Sequence, residues 1–175
     1  MVKLRKGCCY SKIERPYTRK SKRREKSYVR GAPYSKIVIF DMGNLQANFP
    51  YAVKLIAKKE VQIRHNALEA ARISVHKELS NAIGESNFKF KLKPYPHHVL
   101  REHAMAAGAG ADRFQQGMAH SFGKPVGLAA QIREGQEFMI VFTNKENIEK
   151  AKIALRQACC KTPIKGLITV EQVGM

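Results

Sequence analysis

Two stretches of the chain carry apolar side chains at a regular period. Over residues 88–93, apolar and lysine side chains alternate as FKFKLK, a pattern typical of a strand that buries one face. Residues 66–84 instead place their apolar side chains at helical spacing. The members of that stripe are Leu68, Ala71, Val75 and Leu79. These periods predict one strand and one long helix that share a core.

The ends of the long helix carry their own signals. Asn66 is a suitable N-cap, and Glu69 three residues later completes an arrangement like a capping box. Gly84 is a natural stop, because glycine adopts the backbone conformation that ends helices without a steric cost. The helix is therefore predicted to run from Asn66 to Gly84.

Shorter apolar runs predict the remaining elements. Strands are expected at residues 36–40, 61–63, 128–133, 137–143 and 166–170. A turn at 41–44 follows the first of them, residues 49–51 are expected in a linking loop, and Glu134-Gly135 is expected to join 128–133 and 137–143 as a hairpin. A second helix is expected from about Glu146 to Ala158. Together these elements predict the α+β class, as a two-layer α/β sandwich with a mixed or antiparallel sheet and two main helices.

Charge changes this picture at the N-terminus. The chain has 175 residues and a formal net charge of +18, of which residues 1–36 hold +11, from 13 Lys and Arg against Glu14 and Glu25. This segment has neither apolar period, so it is not expected to fold alone. We therefore predict a basic extended N-terminal arm over residues 1–35 and a single α/β sandwich domain over residues 36–175.

A positive field of this size attracts a polyanion, namely nucleic acid, an anionic membrane surface or an acidic protein. Cations and interleaved tyrosines in the arm suit folded RNA, because they neutralise phosphates and stack on unpaired bases. A solvated tail or a targeting signal remains an alternative. Two interpretations also remain for the lysine face of residues 88–93. It either contacts RNA or keeps a sheet surface soluble.

Residues 94–127 do not resemble core. They are rich in glycine, alanine and amides, and about twenty of them, 104–123, have no face to bury. A loop of this length inside a compact domain is uncommon and usually functional. We therefore predict a long glycine-rich functional loop.

Neither the loop nor the cysteines indicate an active site. Cys8-Cys9 and Cys159-Cys160 are adjacent pairs without the spacing of a zinc site, and they are interpreted as free, reduced thiols. Asp112 and Arg113 are expected to form an internal ion pair that braces the loop, because no second carboxylate or nucleophile accompanies them. His97 and His98 are expected to be packing or contact residues. We expect no catalysis, metal, cofactor or small-molecule substrate.

The ends of the chain and its hydropathy carry no export or membrane signal. No apolar run approaches the roughly 18 residues that a membrane span needs. The N-terminus lacks the apolar segment of a signal peptide. We expect a cytoplasmic protein without membrane contact.

Several stretches together resemble a known family. Residues 109–118 (AGADRFQQGM) and 122–127 (FGKPVG) closely resemble the glycine-rich signature of the large-subunit ribosomal protein called L-ten-e in archaea and eukaryotes and L-sixteen in bacteria. Residues 30–43, 67–73 and 94–101 agree with the same family. Residues 1–29 match it in basic character only. The chain stops soon after its last predicted strand, which favours the archaeal type.

The resemblance implies a structural role. It implies an α/β sandwich seated in large-subunit rRNA near the path of aminoacyl-tRNA, with the glycine-rich loop extending toward the peptidyl-transferase region. The implied partners are large-subunit rRNA, neighbouring large-subunit proteins and, transiently, tRNA; no homo-oligomer is expected. A free RNA-binding factor or RNA chaperone outside the ribosome is the alternative.

Candidate contact residues fall into two groups. Those expected to bind rRNA are the basic residues of the arm and of the lysine face: Lys3, Arg5, Lys6, Arg15, Arg19, Lys20, Lys22, Arg23, Arg24, Arg30, Lys89, Lys91 and Lys93. Those expected to face tRNA or the peptidyl-transferase region lie in and beside the loop: Arg101, Gly108, Gly110, Asp112, Arg113, Gln115, Gln116, Gly117 and Lys124. Arg113 and Gln115 are the side chains most expected to face RNA.

Overall fold

The strands of the molecule divide between two antiparallel sheets. A computed structural model describes residues 4–18, 23, 25, 28–106, 108–119 and 121–173. Its strands are β1 (Asp41–Gly43), β2 (Tyr51–Ala57), β3 (Val61–Arg64), β4 (Phe88–Leu92), β5 (His98–Glu102), β6 (Lys124–Ile132), β7 (Glu137–Thr143) and β8 (Gly166–Gln172). The large sheet has the order β1-β4-β7-β2-β8, and the small sheet has the order β3-β6-β5.

Two long helices build the core with the large sheet. Helix α1 (His65–Ala82) contacts β4 and the small-sheet strands β3 and β6, whereas α3 (Ile148–Lys161) contacts β2, β7 and β8. The two helices also pack against each other. The largest fully buried side chains include Phe88, Phe90, Phe138, Leu55, Leu68 and Leu155. The predicted α+β class and its two main helices are confirmed.

The periodic segments fold as their patterns predict. Phe88, Phe90 and Leu92 point into the core from β4. The stripe of α1 is buried as well, and the helix ends two residues before Gly84, which has a φ of +86°. The start of α1 was predicted wrongly. It begins at His65, with no side chain capping it, and Glu69 binds Arg72 instead.

The strands around residues 134–135 are present, but the predicted hairpin is wrong. β6 pairs with β3 and β5, whereas β7 pairs with β2 and β4. The turn between them, closed by the hydrogen bond from Gln136 N–H to the Arg133 carbonyl at 3.2 Å, takes the chain from one sheet to the other. The two strands lie in different sheets, and local sequence does not reveal which partners each strand takes.

Two further strand predictions were wrong. Residues 36–40 are not a strand; Ile37 is buried but Val38 is 82% exposed, and the strand falls at β1, where the turn was expected. β2 was missed, because residues 49–51 were assigned to a linking loop and no strand was predicted over Tyr51–Ala57. That strand is paired on both sides, with β7 and β8.

Residues 94–127 are less irregular than predicted. His98, Val99 and Leu100 are buried in β5, and β6 begins at Lys124. Glu102 pairs with Lys124, so β5 and β6 form a hairpin and the glycine-rich segment is its connection. The long loop therefore projects from the end of the small sheet.

Candidate nucleic-acid interface

The described part of the N-terminal arm lies on the small sheet. At β3, the backbone N–H of Gln62 donates to the Ser11 carbonyl at 3.0 Å, and its side-chain amide donates to the Tyr10 carbonyl at 2.9 Å. At β6, the amide of Gln131 donates to the Glu14 carbonyl at 2.7 Å. Two glutamine side chains thus satisfy arm carbonyls, so residues 10–14 are anchored to β3 and β6 by polar contacts.

The arm reaches the far edge of the small sheet at Tyr17. Its N–H donates to Nδ1 of His98 at 2.7 Å, and its carbonyl accepts from the N–H of Val99 at 3.1 Å. His98 is buried, and burial lowers its pKa below the ordinary value; nearby Arg101 lowers it further and Glu14 opposes both. The neutral ring is therefore favoured, which leaves Nδ1 free to accept the arm's hydrogen bond.

Arg101 joins the arm, β5 and the base of the loop. Its Cζ lies 4.5 Å from the ring centroid of Tyr17 and 4.5 Å from that of Phe122. The two rings meet edge to face, with centroids 5.8 Å apart. Cation–π contacts of this kind hold a guanidinium without neutralising it. We call Tyr17, Arg101 and Phe122 the aromatic–arginine cluster.

The base of the glycine-rich loop is closely packed. The backbone of Gly123 approaches the backbone of Glu102, and a Cβ added at Gly123 would lie 2.7 Å from the Glu102 carbonyl carbon. Any other residue would push the two strands apart at the start of β6. Glycine at this position is therefore required by close approach and not by an unusual φ.

Two hydrogen bonds within the loop brace it above this base. His103 Nε2 lies 2.8 Å from the Gly117 carbonyl, and the N–H of Ala106 donates to Oε1 of Gln115 at 2.5 Å. Gln115 was predicted to face RNA, but its carbonyl oxygen is engaged within the loop and its side chain is half-buried. These braces give the loop a defined shape without an apolar core.

The tip of the loop is a single helical turn, α2 (Ala111–Phe114). Gly110 precedes it in the left-handed conformation, with φ +78°. Asp112, Arg113 and Phe114 are exposed, and no ion pair among the described residues includes Asp112 or Arg113. The predicted brace between Asp112 and Arg113 is therefore wrong, and both charges face outward.

The other predicted loop positions lie around this tip. Gly108, Gln116, Gly117 and Lys124 are exposed, whereas Arg101 is half-buried in its cluster. Among the arm cations, Arg5, Lys6, Arg15, Arg23 and Arg30 are exposed. Lys3, Arg19, Lys20, Lys22 and Arg24 lie outside the described residues.

The lysines on the outer face of β4 already contact other groups of this chain. Lys93 is hydrogen-bonded to Glu137, Lys91 lies 3.8 Å from Asp41, and Lys89 donates to the Leu45 carbonyl at 3.3 Å. Hydrogen bonds from Lys54 and then Lys93 lower the pKa of Glu137. The structure therefore brings together the arm and the loop on the small sheet, and it separates the lysine face from them on the large sheet.

Sequence analysis missed Tyr17 and Phe122. Tyr17 was noted only as one of several tyrosines within the basic arm, and Phe122 only as part of a motif. The available signal was an aromatic residue directly before Gly123 at the point where small side chains give way to a strand. Their meeting at Arg101 depends on the arm crossing the small sheet, which no local pattern encodes.

The remaining features to consider are metal ligands, cysteines, the two adjacent histidines and membrane-spanning helices. No cluster of His, Cys, Asp or Glu able to hold a metal occurs among the described residues, and their four cysteines form no disulfide. His98 is buried, while His97 is exposed with its ring 4.6 Å from that of Tyr95. Within the part of the chain that the structure describes, no helix is long and apolar enough to cross a membrane.

Comparison with known proteins places the chain in a family. The family model described as Ribosomal protein L16p/L10e matches residues 14–169. A protein of Archaeoglobus fulgidus is 50% identical over 93% of this chain and 90% of its own length. A Methanococcus aeolicus protein is 46% identical over 95% and 94%, and a Hyperthermus butylicus protein is 49% identical over 89% and 83%. All three carry the name large ribosomal subunit protein uL16.

These matches make the chain a ribosomal protein, with a structural role and not an enzyme's. It belongs to the L16p/L10e family. The resemblance drawn from the glycine-rich signature is therefore confirmed, including its archaeal character. A place in translation and in a ribonucleoprotein follows from the family.

Proposed function

We propose that the protein is a resident structural constituent of the large ribosomal subunit in the cytoplasm. It binds large-subunit rRNA and contacts neighbouring large-subunit proteins. Its loop helps form the region that accommodates tRNA near the peptidyl-transferase centre. The observation that carries the proposal is the placement of the basic arm and the long loop side by side on the small sheet.

The arm supports the rRNA contact. Six cations in the described part of the arm are exposed, and the backbone from Tyr10 to Tyr17 is held on the small sheet by residues of β3, β6 and β5. Exposed cations on a docked backbone can neutralise a line of phosphates. Each neutralised phosphate is expected to contribute roughly −0.7 to −0.9 to the slope of log K against log salt.

The loop supports the tRNA contact. It extends a hairpin, its two strands are closed at Glu102 and Lys124, and internal hydrogen bonds keep it from collapsing onto the body. Arg113 is exposed at its tip. A braced projection with a cation at its end can reach into a crowded RNA site while the domain stays outside it.

The test is a sucrose-gradient profile of native cell lysate, probed for this protein at low and high salt. We expect exclusive comigration with large subunits and intact ribosomes that survives a moderate salt wash. A variant without residues 1–30 is expected to remain folded but to leave the subunit at lower salt. Lys152→Gln is the control, because Lys152 on α3 pairs with Glu149 at 2.6 Å and is not a predicted contact residue, so its removal should change the profile little.

A protein concentrated at the top of the gradient would contradict the proposal. It would indicate a free RNA-binding factor or RNA chaperone, in which case the family describes ancestry and not present function. An unfolded product of the deletion would show that the arm is part of the folded core.

A further inference from the structure

A groove lies between the arm residues before Tyr17, β5 and the base of the loop. Its volume is about 450 Å³, and its lining includes Arg5, Tyr10, Lys12, Arg101, His103 and Phe122. A volume in this range is typical of sites for small ligands. The groove is therefore large enough for one nucleotide unit of a longer chain.

The charge of the groove favours an anion. Arg5, Lys12 and Arg101 line it, against Glu14 as the one acid of the lining. The Glu14 carbonyl is already bonded to Gln131, which fixes the backbone there. An anionic group in the groove would meet three cations and one carboxylate, which leaves a net charge of +2.

The aromatic lining favours a flat, unsaturated partner. Phe122 is 64% exposed although it contacts both Tyr17 and Arg101. Tyr17 and Arg101 contact this ring, and the exposed remainder of it is accessible for stacking. Phe114, at the loop tip, is also exposed, at 86%, but it is not part of the groove lining.

We propose that this groove holds one unpaired nucleotide of the bound RNA, with its base stacked on Phe122 and its phosphate against Arg5, Lys12 and Arg101. The proposal rests on the proposed RNA-binding function and names a binding site within it. Single-stranded RNA is recognised by this combination, because every base has a face that stacks on an aromatic ring while cations hold its backbone.

The cluster prepares the site for that contact. Arg101 is fixed between two rings before any ligand arrives, so little side-chain freedom is lost when it meets a phosphate. Tyr17 is fixed by its hydrogen bonds to β5. Docking of the arm therefore completes the groove, and the site needs both the arm and the loop base.

The experiment uses the full chain and a nine-nucleotide oligoadenylate, with affinity measured by fluorescence anisotropy. Phe122→Leu keeps an apolar side chain but removes the ring, and we expect it to weaken binding roughly fivefold to a hundredfold, the cost of one base–aromatic stack. Phe122→Tyr should bind within about twofold of the natural chain. Phe114→Leu is the matched control from the same loop and should also change affinity by less than about twofold.

A second probe identifies the contact. An oligoadenylate with a central 4-thiouridine should crosslink on irradiation to the peptide that contains Phe122, and the yield should fall in Phe122→Leu. The proposal is overturned if Phe122→Leu binds like the natural chain, or if Phe114→Leu loses as much. It is also overturned if an oligoglutamate of equal length loses as much affinity as the RNA in Phe122→Leu, because the groove would then be a peptide site.

The gradient distinguishes this proposal from the function on which it rests. If the natural chain comigrates with large subunits while Phe122→Leu binds oligoadenylate normally, the groove assignment is wrong and the ribosomal function stands. If the natural chain stays at the top of the gradient, the ribosomal function is wrong whatever Phe122→Leu does.

Discussion

The large sheet is held by different forces from the arm and the loop that the small sheet carries. The large sheet buries one face under α1 and α3. Four of its five strands contribute buried side chains to the core. The small sheet is packed against α1, but the arm and the loop that it carries are fixed by hydrogen bonds and ring contacts of individual side chains. Apolar burial makes the rigid mount, and polar contacts shape the surface proposed to meet RNA.

This division separates stability from binding. Burying a large apolar side chain stabilises the fold by about two to three times the net contribution of one hydrogen bond. Changes in the large-sheet core should therefore alter unfolding, whereas changes in the arm and loop should alter binding with little effect on unfolding. Three substitutions or deletions test the difference, each with a smaller expected effect on stability than the one before.

The largest effect is expected in the large-sheet core. Phe90 is fully buried in β4, so Phe90→Ala should lower the free energy of unfolding by about 3–5 kcal/mol, the range for deleting a buried phenyl ring. Urea denaturation followed by circular dichroism measures the change. Phe114→Ala is the matched control on the exposed loop tip and should stay within about 0.5 kcal/mol. Equal losses in the two variants would show that the loop is part of the cooperative core.

The same division explains what could be predicted from the sequence. β4, α1 and α3 were found because each buries a periodic face in the large core, and β8 was found as a short apolar run after Pro163, although none of its residues is buried. The pairing of β6 and β7 was not, because a strand's partner is chosen by distant parts of the chain. The class of the fold was therefore accessible from local patterns, and the division into two sheets was not.

The interface was predictable only in part, for the same reason. Arg101, Arg113 and the glycines were predicted as contact residues from composition and family resemblance, and that assignment stays a prediction. The roles of Tyr17, His98 and Gln115 depend on single hydrogen bonds between distant segments or across the loop. A bond of this kind leaves no period in the sequence, so these roles required coordinates.

A smaller effect is expected at His98 and depends on pH. Its folded pKa is lowered by burial, so the neutral ring stabilises the fold above the ordinary value of 6.5, and that stabilisation is lost as the pH falls below 6.5 through the folded pKa. Protonation removes the acceptor at Nδ1, so we expect the bond from Tyr17 N–H to break on acidification. The loss should be about 1 kcal/mol, the net value of one such hydrogen bond.

The His98 prediction is measured by the amide resonance of Tyr17 in NMR spectra between pH 7.5 and 5. His98→Asn keeps an acceptor near the same position but does not titrate, so its Tyr17 resonance should move much less. His65→Asn is the control, because burial also lowers the pKa of His65 but its Nδ1 accepts from Lys36 N–H at 3.3 Å. If His65→Asn, and not His98→Asn, removes the pH response at Tyr17, the arm is not held through His98.

The smallest effect on stability is expected in the loop, where the functional effect should be large. Replacing residues 106–118 with a short glycine–serine link removes the braces at His103 and Gln115, but both are internal to the loop. The free energy of unfolding should therefore change by about 0.5 kcal/mol or less, since no core side chain is lost.

Ribosomes that contain the shortened protein should translate more slowly, and Arg113→Ala should slow tRNA accommodation if one exposed cation at the tip matters. Normal translation by the shortened form would remove the loop from the mechanism, while a large loss of stability would mean that its braces also hold the small sheet. An intact fold with slowed translation would mean that the loop, which contributes little to folding, is needed for function.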